Sequence, residues 1–158
     1  REELFLTLYE QSLMRWSQVF ISHLSNAMTS RAYAQTLFTT AQADGAFLPL
    51  LIRLEHVIEH NVSIPRLIKS KQVFKQQVET VAAPTSTSLS LNAAQATEVV
   101  KTMGVLLIGA TRSDQGPALD NEALPSDVQA LIASFASEPL FVKNAVRIIE
   151  GIRAETGI

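Results

Sequence analysis

Apolar residues at helical spacing run through almost the whole chain. In its first part they recur in steps of three and four, which places them on one side of a helix with about 3.6 residues per turn. These residues are Leu6, Tyr9, Leu13, Trp16, Phe20, Leu24 and Ala27. Similar stripes follow along the chain, with mostly short connections. The pattern predicts an all-α fold, a compact bundle of about six to seven helices with mostly antiparallel neighbours. A short α-solenoid fragment is the alternative.

Capping and turn-forming residues divide the stripes into helices. Thr29 and Ser30 separate a first helix at 2–28 from a second at 31–43. Proline suits the first turn of a helix, and Pro49 and Pro65 open the third and fourth helices. Asn92 can cap a fifth helix that precedes an acidic loop at 111–125.

Two further helices are predicted after that loop. The sixth opens at Ser126 in a capping-box pattern, and Pro139 begins the seventh. We expect the apolar side of the sixth helix to face inward, through Val128, Leu131, Ile132 and Phe135.

The length of the chain fits one domain. Its 158 residues lie within the range of a single hydrophobic core, so we expect one helical domain over 1–158. The small polar run at 84–90, led by Pro84, predicts a linker that could divide subdomains 1–83 and 91–158. Because the chain begins at Arg1 within a predicted helix, we expect it to be a segment of a longer protein.

Composition excludes several kinds of site. The chain has no cysteine, so disulfides, thiolate zinc sites and cysteine nucleophiles are excluded. Its net charge of −2 creates no general attraction to nucleic acid or anionic lipid. No apolar run approaches the ~18 residues that cross a bilayer. We therefore expect a cytoplasmic protein that is not an enzyme and carries no cofactor.

The sharpest local motif is the H-x-x-E-H string at His56, Glu59 and His60. It resembles the signature of the inverzincin metallopeptidases over five residues. The resemblance implies that His56 and His60 bind a metal ion and that Glu59 activates water, which makes a helical metalloprotein one alternative. The simpler interpretation places these residues on the polar flank of the third helix. A metal site needs three or four ligands and only two can be named, so we predict no metal.

A second candidate is a basic helix face. Arg66, Lys69, Lys71 and Lys75 precede the first acid of the fourth helix, predicted at 64–82. They predict an anion-binding surface, with a nucleic-acid or anionic-surface module as another alternative. Base-stacking aromatic residues are lacking there, so nucleic acid is an unlikely partner. The simpler interpretation is that these four charges lie on a helix face that is exposed to solvent.

The first helix is apolar on more than one side, which favours a partner surface. Phe5 and Leu8 lie beside the main stripe that includes Trp16 and Phe20. Large apolar residues and tryptophan commonly anchor protein interfaces. We therefore predict a non-catalytic protein–protein interaction or scaffold domain in a multi-subunit assembly, with Phe5, Leu8, Trp16 and Phe20 binding a protein partner or a second copy. The sequence identifies no small-molecule substrate.

Overall fold

The computed structural model describes residues 1–115, 119 and 123–155. The described residues form helices and connections, with no strand among them. The α-helices are α1 (Glu2–Ser22), α2 (Ser30–Ala43), α3 (Phe47–Arg53), α4 (Ile64–Leu89), α5 (Ala93–Thr111), α6 (Ser126–Ser134) and α7 (Ser137–Ala154). A π-helical turn at Leu54–Ile58 and 3₁₀ turns at Glu59–Asn61 and Arg112–Gln115 complete the set. The prediction of an all-α bundle is confirmed.

Side-chain caps begin three of the helices. Thr29 accepts a hydrogen bond from the Ala32 backbone amide at the start of α2, and Ser63 does the same for Arg66 at the start of α4. Asn92 forms a reciprocal capping box at the start of α5. Such caps satisfy amides that have no partner within the helix. The first helix ends at Ser22 rather than near residue 28.

Helices α1 and α4 lie side by side and run in the same direction. Arg66 in the first turn of α4 binds Glu10 and Thr7 in the first half of α1. At the other end, the Met28 backbone amide after α1 donates to the Ser88 carbonyl of α4 over 2.9 Å. Helix α5 turns back along α4. This arrangement places the inner faces of α1, α4 and α5 around a shared core.

The predicted linker at 84–90 is wrong, because α4 continues through Leu89 with Pro84 inside it. Tertiary contacts hold this segment helical. Thr85 is fully buried, donates to the Val81 carbonyl over 2.8 Å and bonds the Tyr33 hydroxyl over 2.7 Å. These contacts outweigh the backbone hydrogen bond that proline cannot make. The division of 1–158 into subdomains 1–83 and 91–158 stays a prediction.

The predicted inward face of α6 is also wrong. Leu131, Ile132 and Phe135 are exposed by 59, 45 and 53%, and α6 has no buried residue. Val105 of α5, exposed by 72%, lines one groove together with Phe135 of α6. We call these four residues the α5–α6 face. The middle of the predicted loop at 111–125 lies outside the described residues.

Within the described part of the chain, no helix combines the length and the apolar character needed to cross a membrane.

Candidate functional site

An apolar cavity of about 80 Å³ lies between α1, α2, α3, α4 and α5. Leu13, Leu37, Val81, Met103 and Leu107 form much of its wall. Each of these side chains belongs to a helical stripe whose remaining members fill the core. The cavity is therefore the part of the core that the converging helices leave open.

Trp16 forms one wall of this main cavity and is held there from three sides. Its ring stacks on Phe20 and on Phe47 with centroids 5.2 Å apart in both cases. Its indole N–H donates to Thr40 Oγ1 over 3.1 Å. Stacking and the hydrogen bond together fix the orientation of the ring. The wall is therefore rigid at this point.

Two polar atoms at the main cavity lack a hydrogen-bond partner among the described residues. They are the Tyr9 hydroxyl and the Gln77 side-chain oxygen, both buried. Other polar groups there are satisfied internally: Tyr33 bonds Thr85, and Ser17 donates to the Leu13 carbonyl. A buried polar atom without a partner costs about 1–3 kcal/mol. Such atoms in an apolar cavity are positioned to bind a polar group of a ligand.

The Tyr9 hydroxyl stays protonated throughout the physiological range. Burial raises the pKa of Tyr9 well above its ordinary value, and the carboxylates of Glu59 and Glu10 raise it further. The neutral phenol therefore retains a proton that it can donate. Tyr33 is also held neutral, since burial raises its pKa, but its hydroxyl is already engaged with Thr85.

A second cavity, of about 140 Å³, adjoins the first and is more polar. Tyr9, Leu51 and Phe74 line both cavities. The polar cavity also has His56, Glu59, Ser70, Lys71 and Arg112 in its wall. Lys71 Nζ lies 2.5 Å from Glu59 Oε1. The two cavities together therefore offer an apolar compartment beside a charged one.

The predicted partner-binding residues of α1 do not lie on one surface. Trp16 and Phe20 are core residues, exposed by 9 and 0%, so they are not available as surface anchors in this fold. Phe5 packs partly against the core, and Leu8 is exposed by 41%. For Phe5 and Leu8 a role in partner binding stays a prediction.

The predicted anion-binding residues are mostly occupied by acids of the same chain. Arg66 binds both carboxylate oxygens of Glu10, at 2.7 and 3.1 Å. Lys71 pairs with Glu59, and Lys75 pairs with Glu79 one turn further along α4. Lys69 is exposed on the same helix. This charge pairing argues against a strip of cations that contacts phosphates.

The H-x-x-E-H residues do not assemble a metal centre. His56 and His60 are both exposed, and Glu59 is in an ion pair with Lys71. No group of three potential metal ligands comes together among the described residues. The local backbone is a π-helical turn followed by a 3₁₀ turn. The two histidines therefore lack the regular helical turn on which the metalloprotein alternative depended.

Sequence reasoning missed the cavity and its two unsatisfied atoms. Tyr9 was assigned to the inward stripe of α1 with no further role. Gln77 lies on α4 between Phe74 and Val78, with Val81 one turn beyond, and all four line the main cavity. An amide within an otherwise apolar inward stripe was the available signal, because such a group needs a partner in the interior.

A family model described as "Tetracyclin repressor-like, C-terminal domain" matches residues 10–156. The chain belongs to this family. No curated protein matches the chain significantly. The match covers the helices that enclose both cavities, except for the part of α1 before residue 10, which includes Tyr9.

Membership corrects the functional prediction. Domains of this family are typical of ligand-binding regulators, so the prediction of a protein–protein scaffold is wrong. The metalloprotein and nucleic-acid alternatives do not fit either. The family is regulatory and non-catalytic, in agreement with the expectation that the chain is not an enzyme. Its domains commonly dimerise, which supports the expected self-association, and family members bind DNA through an N-terminal domain.

Proposed function

We propose that the chain is the effector-binding domain of a transcription regulator and that the main cavity receives the effector. The observation that carries this proposal is the buried Tyr9 hydroxyl without a partner in an apolar cavity. Ligand sites are commonly apolar and carry a few polar groups that orient the ligand. A regulatory domain of this kind has no catalytic role, and we expect it to work in the cytoplasm.

The size of the cavity limits how the effector binds. Drug-sized ligands occupy pockets of roughly 300–1,000 Å³, whereas the main cavity measures about 80 Å³. An engineered apolar cavity of about 150 Å³ binds benzene, so even a ligand with a single aromatic ring requires wall side chains to move here. Phe74 is the wall residue best able to do so, because it is exposed by 43% and lies between the two cavities.

Trp16 provides the test, because it is the only tryptophan and lines the main cavity. We expect titration with propylbenzene to change its emission saturably and to raise the melting temperature, since a ligand that binds only the folded state stabilises it. Tryptophan emission that stays constant, together with an unchanged melting temperature for small apolar probes, would contradict the proposal.

We further propose that the domain self-associates through the α5–α6 face. Val105, Leu131, Ile132 and Phe135 are all exposed and apolar. A shallow groove beside them is lined by Val105, Leu106, Phe135 and Leu140. Exposed apolar patches of this kind commonly mark protein interfaces. A second copy is the partner that the family's tendency to dimerise favours.

Light scattering coupled to size exclusion tests this second proposal. We expect a dimer for the unmodified chain and a monomer for Ile132→Lys, because a buried lysine without a partner charge opposes association. Leu4→Lys is the matched control, since Leu4 is exposed by 61% on α1, outside the α5–α6 face. A monomeric unmodified chain, or a dimer that persists in Ile132→Lys, would exclude this interface.

A further inference from the structure

The Tyr9 hydroxyl and the Gln77 side-chain oxygen meet one cavity from two helices. Tyr9 lies on α1 and Gln77 on α4, and both line the main cavity. Each of these atoms is buried and has no hydrogen-bond partner among the described residues, so the two do not bond each other either. A ligand in the main cavity therefore meets two polar atoms that still need a partner.

The two atoms need partners of different kinds. Burial and the carboxylates of Glu59 and Glu10 raise the pKa of Tyr9, so the phenol keeps its proton and can donate it. The amide oxygen of Gln77 only accepts, so its partner must be a donor. A ligand that satisfies both atoms therefore carries an acceptor and a donor. A hydroxyl is the smallest group that supplies both, which suits a cavity of about 80 Å³.

A negatively charged ligand group does not suit the main cavity. The carboxylates of Glu59 and Glu10 raise the pKa of Tyr9, and they would equally repel an anion beside its hydroxyl. Among the described residues, Lys101 is the one charged residue in the wall. Its side chain is exposed by 61%, and its ammonium lies 3.7 Å from the carboxylate of Glu98. An anion in the cavity would therefore lack a buried positive partner.

A positively charged group does not suit this cavity either. Glu10 and Glu59 are not among the described residues of its wall. Their carboxylates also have partners already: Arg66 binds both oxygens of Glu10, at 2.7 and 3.1 Å, and Lys71 Nζ lies 2.5 Å from Glu59 Oε1. A cation would lose its water without gaining a free carboxylate, and burial of an unpaired charge is strongly unfavourable. The polar group of the ligand is therefore expected to be neutral.

From this arrangement we infer that the effector is an uncharged, mainly apolar alcohol whose hydroxyl accepts a hydrogen bond from Tyr9 and donates one to Gln77. This inference rests on the proposed function of the main cavity. The apolar body packs against the wall that includes Leu13 and Leu107. A site that bonds a ligand hydroxyl rejects the analogue that lacks it, because the buried polar groups of the site are then left unpaired.

Four probes with one apolar body test the nature of the polar group. Phenylpropanol carries a hydroxyl, butylbenzene a methyl group in the same place, phenylpropylamine an ammonium and phenylpropionate a carboxylate. Their dissociation constants are measured by the emission of Trp16, which lines the main cavity, with calorimetry as a second method. We expect phenylpropanol to bind at least about tenfold more tightly than each of the other three, the ratio that corresponds to about 1.4 kcal/mol.

Variants then assign this preference to residues. Tyr9→Phe and Gln77→Met each remove one bonding atom and keep the size of the side chain similar. Each should bring phenylpropanol close to butylbenzene, whose own affinity should stay within about twofold. Gln76→Met, at an exposed position of α4, is the matched control for Gln77→Met. Tyr33→Phe is the comparison for Tyr9→Phe, because the Tyr33 hydroxyl is already bonded to Thr85. The preference for the alcohol should persist in both comparison variants.

The failures of the two proposals are distinguishable. Equal binding of phenylpropanol and butylbenzene, tighter binding of either charged probe, or a preference that survives Tyr9→Phe or Gln77→Met would overturn the alcohol and leave the main cavity as an effector site. Absence of binding by every probe would overturn the effector site itself.

Discussion

Filling the main cavity from Gly104 should strengthen the fold and abolish ligand binding. Gly104 lies on α5 and lines this cavity. A Cβ atom at this position would meet no described side chain or neighbouring segment within 4 Å. In Gly104→Leu the new side chain therefore has room to enter the space that we assign to the effector.

The size of the effect follows from two contributions. Replacing glycine by leucine inside a helix gains about 0.8–1 kcal/mol from backbone propensity. Full burial of a leucine contributes roughly 1.5–3 kcal/mol, and because Gly104 is only partly buried we take about half of that. The sum is about 2 kcal/mol, which for a domain of this size corresponds to a rise in melting temperature of about 4–8 °C.

Gly151→Leu is the matched control. Gly151 lies within α7, is exposed and is outside both cavities, and a Cβ there would also meet nothing within 4 Å. This variant should gain the helical contribution alone, a rise of about 2–4 °C, and should bind propylbenzene as the unmodified chain does. In Gly104→Leu the affinity for propylbenzene should fall by more than about tenfold.

The two readouts of Gly104→Leu test different parts of the reasoning. A stabilised variant with unchanged affinity would show that the probe binds outside the main cavity, which would refute the assignment of the site. A destabilised variant would show that the leucine overpacks the core. The statement that Gly104 faces open space would then be wrong.

Two further predictions concern single polar groups. Tyr9→Phe should leave the free energy of unfolding unchanged or raise it by up to about 1 kcal/mol, because it removes a buried hydroxyl that has no partner among the described residues. Tyr33→Phe should lower it by about 1 kcal/mol, because the bond to Thr85 is lost. Chemical denaturation compares the two variants, and equal destabilisation would contradict the different environments of the two hydroxyls. Asp44 binds Arg15 over 2.8 Å and accepts two backbone amides, and the bond to Arg15 chiefly lowers the pKa of its carboxyl. Asp44→Ala should therefore lower the free energy of unfolding by about 1 kcal/mol at neutral pH. The difference between the two proteins should shrink as the pH falls below about 4, because the stability that comes from a lowered carboxyl pKa is lost when the folded state is protonated. Chemical denaturation at neutral and at acidic pH measures this difference, and a difference independent of pH would count against the ion pair.

Periodicity and capping residues were sufficient to predict most of the helices. The caps at Thr29 and Asn92 and the proline in the first turn of α4 were found as expected. These signals are local, since a cap depends on residues within one turn of the helix end. The all-α bundle follows from them.

The errors arose where distant residues decide the local structure. Pro84 and the small polar residues after it predict a linker, but Tyr33 of α2 binds Thr85 and helps to hold that segment helical. The apolar side of α6 predicts burial, yet the described core leaves Leu131 and Phe135 exposed. Periodicity identifies an apolar side but not what covers it.

The candidate site could not be predicted, because it depends on how five helices converge. Tyr9 and Gln77 are far apart in the sequence and belong to different helices that happen to run in parallel. Only the packed structure shows that both face one cavity and lack partners. The His56 motif and the basic residues of α4 are recognisable by residue type alone, whereas Tyr9 and Gln77 are ordinary members of amphipathic helices in the sequence.

The side-by-side pairing of α1 and α4 has a mechanical consequence. The two helices are tied at one end by Arg66 and Glu10 and at the other by Met28 and Ser88, while the cavity lies between these ties. Two helices that are bonded to each other near both ends separate most easily near the middle. We therefore expect thermal motion to widen the space between α1 and α4 around Phe74 while their ends stay in contact. Entry of a ligand can then proceed by bowing of α4, without separation of the bundle.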